Sequence, residues 1–235
     1  AHSMGANSCI LSAVGRDSLG SEIRFKLSEL GINTDHLEVN EHETGTVEVE
    51  IDKAGAADYV IKKPVAWDFI RYSDKTELLA KKCNAVCFGS LAQRSPVSRQ
   101  TINRFVANTR EDCLKVFDIN LRQSFYNKQI IEESLHAANI LKLNGSELTI
   151  LGEMLELEGD QHEMLIQMLD RYELDSAALT LDAGGSMMCS RDEKCFCSGM
   201  AVKVRDTIGA GDAFTATMIM GQLRGLDLET INFAA

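Results

Sequence analysis

Residues 205–214 read RDTIGAGDAF, and their types and spacing are those from which chemistry can be argued. The small residues Gly209, Ala210 and Gly211 leave backbone N–H groups uncovered, and from Ala213 onward the composition is that of a helix. A small-residue turn that opens a helix presents convergent N–H donors at the positive end of the helix dipole, which suits a phosphate or a developing oxyanion. Asp212 needs a separate reason, because a carboxylate beside an anion site repels a phosphate. Taking the proton from a nucleophilic hydroxyl is one such reason. Capping the helix is another, since Asp is a preferred N-cap residue, and spacing alone leaves both open.

Three further stretches carry polar side chains at the ends of apolar runs. FDINLR (117–122) places Asp118, Asn120 and Arg122 at alternate positions, which on a continuing strand would put them on one face. Arg122 is the leading cationic candidate for steadying a substrate or phosphate, with Lys142 and Arg205 as others. LKLNGSEL (141–148) holds Asn144 and Glu147 where a strand gives way to a turn and a helix start. LTLDAGGS (179–186) ends a strand on a Gly-rich turn containing Gly184 and Gly185.

The elements that must position these residues alternate. Strand-like runs at 9–15, 85–91, 114–120, 138–144 and 176–182 are separated by amphipathic helical stretches at 19–30, 97–109, 128–137 and 159–172. Near-continuous apolar strands such as 177–181 are what a parallel sheet buried on both faces requires, so an α/β fold with helices on both sides is expected. One stretch breaks the rhythm: TGTVEVEID (44–52) alternates apolar and acidic residues, and DYVIKK (58–63) follows a turn, which predicts a hairpin with one wet and one dry face. The polar 191–194 turn within CSRDEKCFC is likewise read as flanked by strands, because neither CxxC pairs nor a Cys/His set with zinc spacing occurs there.

Composition narrows the function classes. With 24 Lys and Arg against 35 Asp and Glu the net charge is −11, and no basic cluster exists to neutralise a run of phosphates, so a duplex nucleic-acid partner is not expected. No apolar run approaches the ~18 residues of a membrane span and the N-terminus lacks a signal-peptide layout, which reads as a soluble, cytoplasmic protein away from membranes. Seven cysteines is an odd count at low density, and reduced thiols are the default. A dinucleotide-dependent oxidoreductase is disfavoured because no G-x-G-x-x-G follows the first strand.

DTIGAGDAF resembles the C-terminal signature of the PfkB, or ribokinase-like, family of carbohydrate and nucleoside kinases. The other stretches agree in order: VGRDSLG (14–20) with the family's G-x-D-x-x-G turn, FDINLR with D-x-N-x-R, LKLNGSEL with N-x-x-E, and LTLDAGGS with the strand and Gly-rich turn on the nucleotide side. The resemblance implies a three-layer α/β/α sandwich with a mostly parallel sheet and a small β lid at about 44–63, all in a single domain covering 1–235. It implies Asp212 as the catalytic base, with the amides of Gly209, Ala210 and Gly211 as anion hole. Asp118, Asn120 and Arg122 would face substrate, and Thr180, Gly184 and Gly185 would lie near ATP. Asn144 and Glu147 would organise Mg²⁺ and phosphates, largely through water, and Asp206 and Thr207 would hold phosphates and a monovalent cation such as K⁺. The family usually has Gly where Asp182 stands, which departs from the pattern.

AWDFI (66–70) and FGSLAQRSP (88–96) look most like the fructokinase branch, so ATP-dependent phosphorylation of a sugar is the expected activity. Other PfkB substrates (ribose, 2-keto-3-deoxygluconate or a nucleoside) and a catalytically silent sugar- or nucleotide-binding regulator are the alternatives. The lid, lined by Trp67, would cover the sugar or meet a second subunit in a homodimer. The family's N-terminal Asp and Gly-Gly-x-x-x-N sugar grip are not found. Together with a family length nearer ~300, at the upper end of single-core size, this reads as the central part of a larger kinase domain, incomplete at both ends.

Overall fold

The computed structural model describes residues 1–51, 57–200 and 208–235. In chain order the elements are β1 (Ser12–Gly15), α1 (Ser18–Glu29), β2 (Leu37–Asn40), β3 (Val47–Ile51), β4 (Ala57–Ile61), α2 (Asp74–Ala80), β5 (Ala85–Phe88), α3 (Pro96–Ala107), β6 (Leu114–Asp118), α4 (Lys128–Ala137), β7 (Ile140–Asn144), α5 (Gly145–Leu155), α6 (Gln161–Arg171), β8 (Ser176–Thr180), β9 (Gly185–Cys189), β10 (Lys194–Ser198), α7 (Ala210–Leu223) and α8 (Leu228–Ala234). The main sheet has six strands in the order β10-β9-β8-β7-β6-β5. Strands β5 to β8 are parallel, and β9 and β10 close that edge antiparallel through the expected hairpin around residues 191–194. β1 pairs with β2 in parallel, and β3 with β4 antiparallel.

Both sheet faces are dry, as the apolar strands require. On one face Phe117, Leu141, Leu143 and Leu179 meet Val106 of α3, Ile131 and Leu135 of α4, Leu148 and Leu151 of α5, and Leu165 and Met168 of α6. On the other, Val116, Ile140, Ala178 and Met188 meet Phe214 and Met218 of α7 and Leu228 and Ile231 of α8. Successive residues of β7 therefore serve opposite cores, which makes the three-layer sandwich. Among the described residues no helix is long and apolar enough to cross a membrane, the seven cysteines are free, and no three His, Cys, Asp or Glu side chains converge as metal ligands.

The β3–β4 hairpin is the predicted lid, with Val49 opposite Tyr59. Its base is clamped: Arg94 pairs with Asp68 at 2.8 Å, donates to the Lys62 carbonyl, and stacks between Trp67 and Phe125 with its guanidinium 4.0 and 4.6 Å from the ring centres. Trp67 thus sits at the foot of the lid, against Gly45, where any Cβ would collide with the indole. Gln123 Nε2 donates to the Tyr59 carbonyl at 2.5 Å, tying β4 to the loop beyond β6.

Two carboxylates fasten chain segments beyond strand ends, Asp17 after β1 and Glu147 after β7. Asp17, in the G-x-D-x-x-G turn, caps α1 through Gly20 N–H and also accepts from the Thr44 N–H and hydroxyl, so the turn and the start of the lid share one anchor. Glu147 closes the capping box of α5 on Asn144 with one oxygen and takes the Leu121 N–H at 2.9 Å with the other.

Each anchor makes a prediction. Hydrogen bonds from the Thr44 and Gly20 N–H groups and the Thr44 hydroxyl hold the Asp17 carboxyl below its ordinary value. A lowered carboxyl stabilises the fold above its unfolded pKa, about 3.9, and that contribution fades as pH falls through the folded value. Asp17→Asn should therefore melt below wild type near neutral pH, and the gap should close as pH drops below about 4; a gap independent of pH would count against the anchor. Glu147→Ala leaves the Leu121 and Asn144 N–H groups without their acceptor, at an expected cost of about 2–4 kcal/mol in urea unfolding. Glu147→Gln, which keeps an acceptor oxygen, should lose clearly less.

Candidate functional site

The carboxyl ends of β6, β7 and β8 lie side by side, with Asp118 in register with Lys142 and Asn144 with Thr180. In open α/β sheets this edge is where ligands bind. Helix α7 delivers the GAGD turn to it. Thr215, one turn into α7, donates its hydroxyl to Asp118 Oδ2 at 2.8 Å, bringing the helix start over the end of β6.

The turn itself has the form anticipated from its glycines. Gly209 is the N-cap residue at φ 82, no side chain caps the helix, and the first regular helix bond runs from Ala213 N–H to the Gly209 carbonyl at 2.8 Å. The preceding N–H groups are the unsatisfied donors that any helix start leaves. Asp212 is exposed and is the acidic residue of the first turn. It sits at the third helical position and not at the N-cap, so of the two purposes its spacing allowed, capping is removed.

Other site residues fall unevenly. Asn144 caps α5 at the edge, and Thr180 ends β8 with its hydroxyl directed to the Leu143 carbonyl at 3.4 Å. Gly184 lies in an exposed 3-10 turn, whereas Gly185, at φ 104, begins β9 at a point where a Cβ would collide with the Cys197 carbonyl. Asp182 takes φ 49, the left-handed backbone that the family's usual glycine would supply, so its departure preserves the turn. Asp206, Thr207 and Arg205 lie outside the described residues.

The expected alternation of Asp118, Asn120 and Arg122 on one face does not occur. β6 ends at Asp118, Asn120 turns the chain at φ 48, and Arg122 is exposed with Nη1 on the Leu121 carbonyl. Asp118 is instead buried and spoken for: Lys142 Nζ lies 3.1 Å from its Oδ1 and Thr215 holds its Oδ2. Glu147 is also only 4% exposed, with both oxygens accepting backbone N–H groups. A directly ligated metal ion does not fit there.

Electrostatics tie these groups together. The Cys87 thiol is pushed up to about 12, first by the protein around its sulfur and then by the charges of Asp118 and Asp212, with Lys142 pulling the other way, although the residue as a whole is exposed. The two carboxylates and the ammonium thus act on one neighbourhood. Thr215 was missed by reasoning on the sequence, where it reads as one more residue of an apolar helix. Lys142 did leave a signal, because a charged residue inside ILKLN, an otherwise apolar buried strand, requires a partner.

The pfkB family carbohydrate kinase model matches residues 1–235. The chain is 28% identical over 234 residues to an uncharacterized sugar kinase of Pyrococcus horikoshii, covering 96% of this chain and 71% of that protein. The crystal structure of that kinase superposes with a TM-score of 0.80, covering 97% of this chain and 74% of its own. A fructokinase of Salmonella typhimurium is 27% identical over 224 residues, 92% of this chain and 71% of that one. At 20% identity, the structure of a Xylella fastidiosa fructokinase with bound ATP gives a TM-score of 0.80 over 92% of this chain and 68% of its own, a likeness of fold. With the three-layer sandwich, the lid and the GAGD turn in the family's order, the chain belongs to the pfkB family of carbohydrate kinases.

Proposed function

We propose that this kinase transfers the γ-phosphoryl group of ATP to a hydroxyl of fructose, with Asp212 as general base. The observation that carries the reading is Asp212 itself: an exposed carboxylate in the first turn of a helix whose start is uncapped, set over the carboxyl edge of a parallel sheet. A helix start alone suits an anion, and a base placed within it suits a hydroxyl that attacks that anion.

In the transfer the sugar oxygen forms its bond to the γ-phosphorus as the bond to the β,γ-bridging oxygen breaks. The hydroxyl proton goes to Asp212, and ADP leaves. The amides of Gly209, Ala210 and Gly211 receive the charge spread over the equatorial oxygens, an electrostatic role that fixed dipoles fill without reorganising. Asn144, Thr180, Gly184 and Gly185 would serve the nucleotide side and Asn120 and Arg122 the substrate side, and the resemblance gives Asp206 and Thr207 the phosphates and a monovalent cation. Asn144 and Glu147 would hold a magnesium ion through its waters, where it would neutralise charge on the nucleotide phosphates. Fructose as the acceptor is supported by the Salmonella relative and by the fructokinase-like AWDFI and FGSLAQRSP stretches. Closure of the β3–β4 lid would exclude water and limit wasteful hydrolysis.

Asp212→Asn should lower kcat by about 10²–10⁴-fold while ADP affinity stays within about threefold; near-normal turnover would remove the assignment. Coupled ADP-release assays with fructose, ribose, 2-keto-3-deoxygluconate and nucleosides identify the acceptor, and product formed only from another of these would replace fructose. Val47, Val49 and Tyr59 of the lid are 53%, 55% and 57% exposed, an uncovered apolar face that a second copy of the lid would bury. Light scattering should give a dimeric mass, and a monomer would leave the lid as a sugar cover alone.

A further inference from the structure

Lys142 stands in the middle of β7 with its side chain 8% exposed, so its ammonium is kept inside the protein. It pairs with Asp118 on the neighbouring strand at 3.1 Å, and the same carboxylate holds the Thr215 hydroxyl of α7, which also bonds the Gly211 carbonyl at 3.0 Å. A Cβ placed on Gly211 would stand 3.1 Å from Lys142 Nζ. The ammonium therefore lies directly against the backbone of the GAGD turn, one residue before Asp212. A buried ion pair is weak support for a fold, since apolar residues of similar volume often serve as well or better. Placement of the positive end under donors that face an anion supplies the missing use, because such charges count for more in a water-poor site.

We infer that Lys142 is a positioning residue for phosphoryl transfer: its buried ammonium, anchored by Asp118, backs the Gly209 to Asp212 turn with positive charge and fixes its height above the sheet. Asp118 is then the anchor of Lys142 and not a ligand of the substrate. This rests on the kinase reading of the same turn.

Removing Lys142 alone would strand the Asp118 carboxylate in the interior and can unfold the protein. The decisive variant is Lys142→Met/Asp118→Asn, which removes both charges and leaves the Thr215 hydroxyl an acceptor. It should melt within about 5 °C of wild type, a change of order 1 kcal/mol at this chain length. Its kcat should fall about 30- to 300-fold with KM for ATP and fructose within about threefold, the pattern of an interaction made in the transition state. Affinity for ADP with fluoroaluminate should drop by a similar factor while affinity for ADP alone holds. A folded double variant with wild-type kcat would reduce Lys142 to a counter-ion and overturn the inference, as would a rise in KM alone. If wild type releases no ADP with any acceptor, the kinase reading fails instead; the inference is then decided by the fluoroaluminate affinities, and equal values in the two proteins overturn it.

Discussion

A carboxylate buried at the end of β6 holds three separate pieces of chain at fixed distances. Asp118 takes Lys142 from β7 on one oxygen and Thr215 from α7 on the other. Strand pairing already fixes β6 against β7, so the bond that adds information is the one to α7. That helix packs on the sheet through Phe214, Met218 and Ile219, and apolar contacts of this kind resist separation better than they resist sliding. A directional hydrogen bond near its first turn sets the register. The position of the GAGD amides relative to the ends of β7 and β8 follows from that one contact.

Charge density makes the same contact necessary. The chain carries −11 overall, and the charges of Asp118 and Asp212 both raise the Cys87 thiol. A nucleotide triphosphate adds further negative charge. Coulomb energies between unit charges at 4 Å run from about 1 kcal/mol in water to about 4 at an effective dielectric of 20, so neighbouring carboxylates would repel phosphate appreciably without a cation between them. Arg122 is exposed and turned to its own backbone, and Arg94 is committed to Asp68 at the foot of the lid. Lys142 is the cation that the described fold places among the acidic groups. Asp118 is paired where it stands, whereas Asp212 is exposed and has no such partner among the described residues.

Much of this architecture was legible in the residues because periodicity reports burial directly. The parallel strands were marked by unbroken apolar runs, and the lid by its period of two. Boundaries were less legible: the run at 114–120 looks like one strand, but Asn120 takes a left-handed conformation and ends the pairing at Asp118, which no hydrophobic pattern encodes. β2 and α2 were missed for a related reason, since each is short and leaves few residues buried. The pattern also misled at α1, where the helix forms but Ile23 and Leu30 of the stripe Ile23, Leu27 and Leu30 stand exposed and Leu27 is only half-buried. At the site, residue types located the turn and the edge, whereas the Thr215 and Leu121 contacts depend on elements far apart in sequence that only the fold brings together.

The two glycines of the turn show how one motif can answer two physical demands. Gly209 meets open space where a Cβ would go, so nothing crowds it; its φ of 82 is what excludes other residues. Gly211 lies inside α7 with ordinary helical backbone, where glycine costs roughly 0.5–1 kcal/mol relative to alanine. That cost requires a return, and it lies beneath the Cα, where Lys142 Nζ stands 3.1 Å from where a Cβ would go, a contact tighter than ordinary packing. Ala210, between them, has neither constraint and carries a side chain. The pattern Gly-Ala-Gly is thus conformational at its first position and steric at its third. The steric demand exists only because a buried ammonium has been brought up against the backbone of the turn.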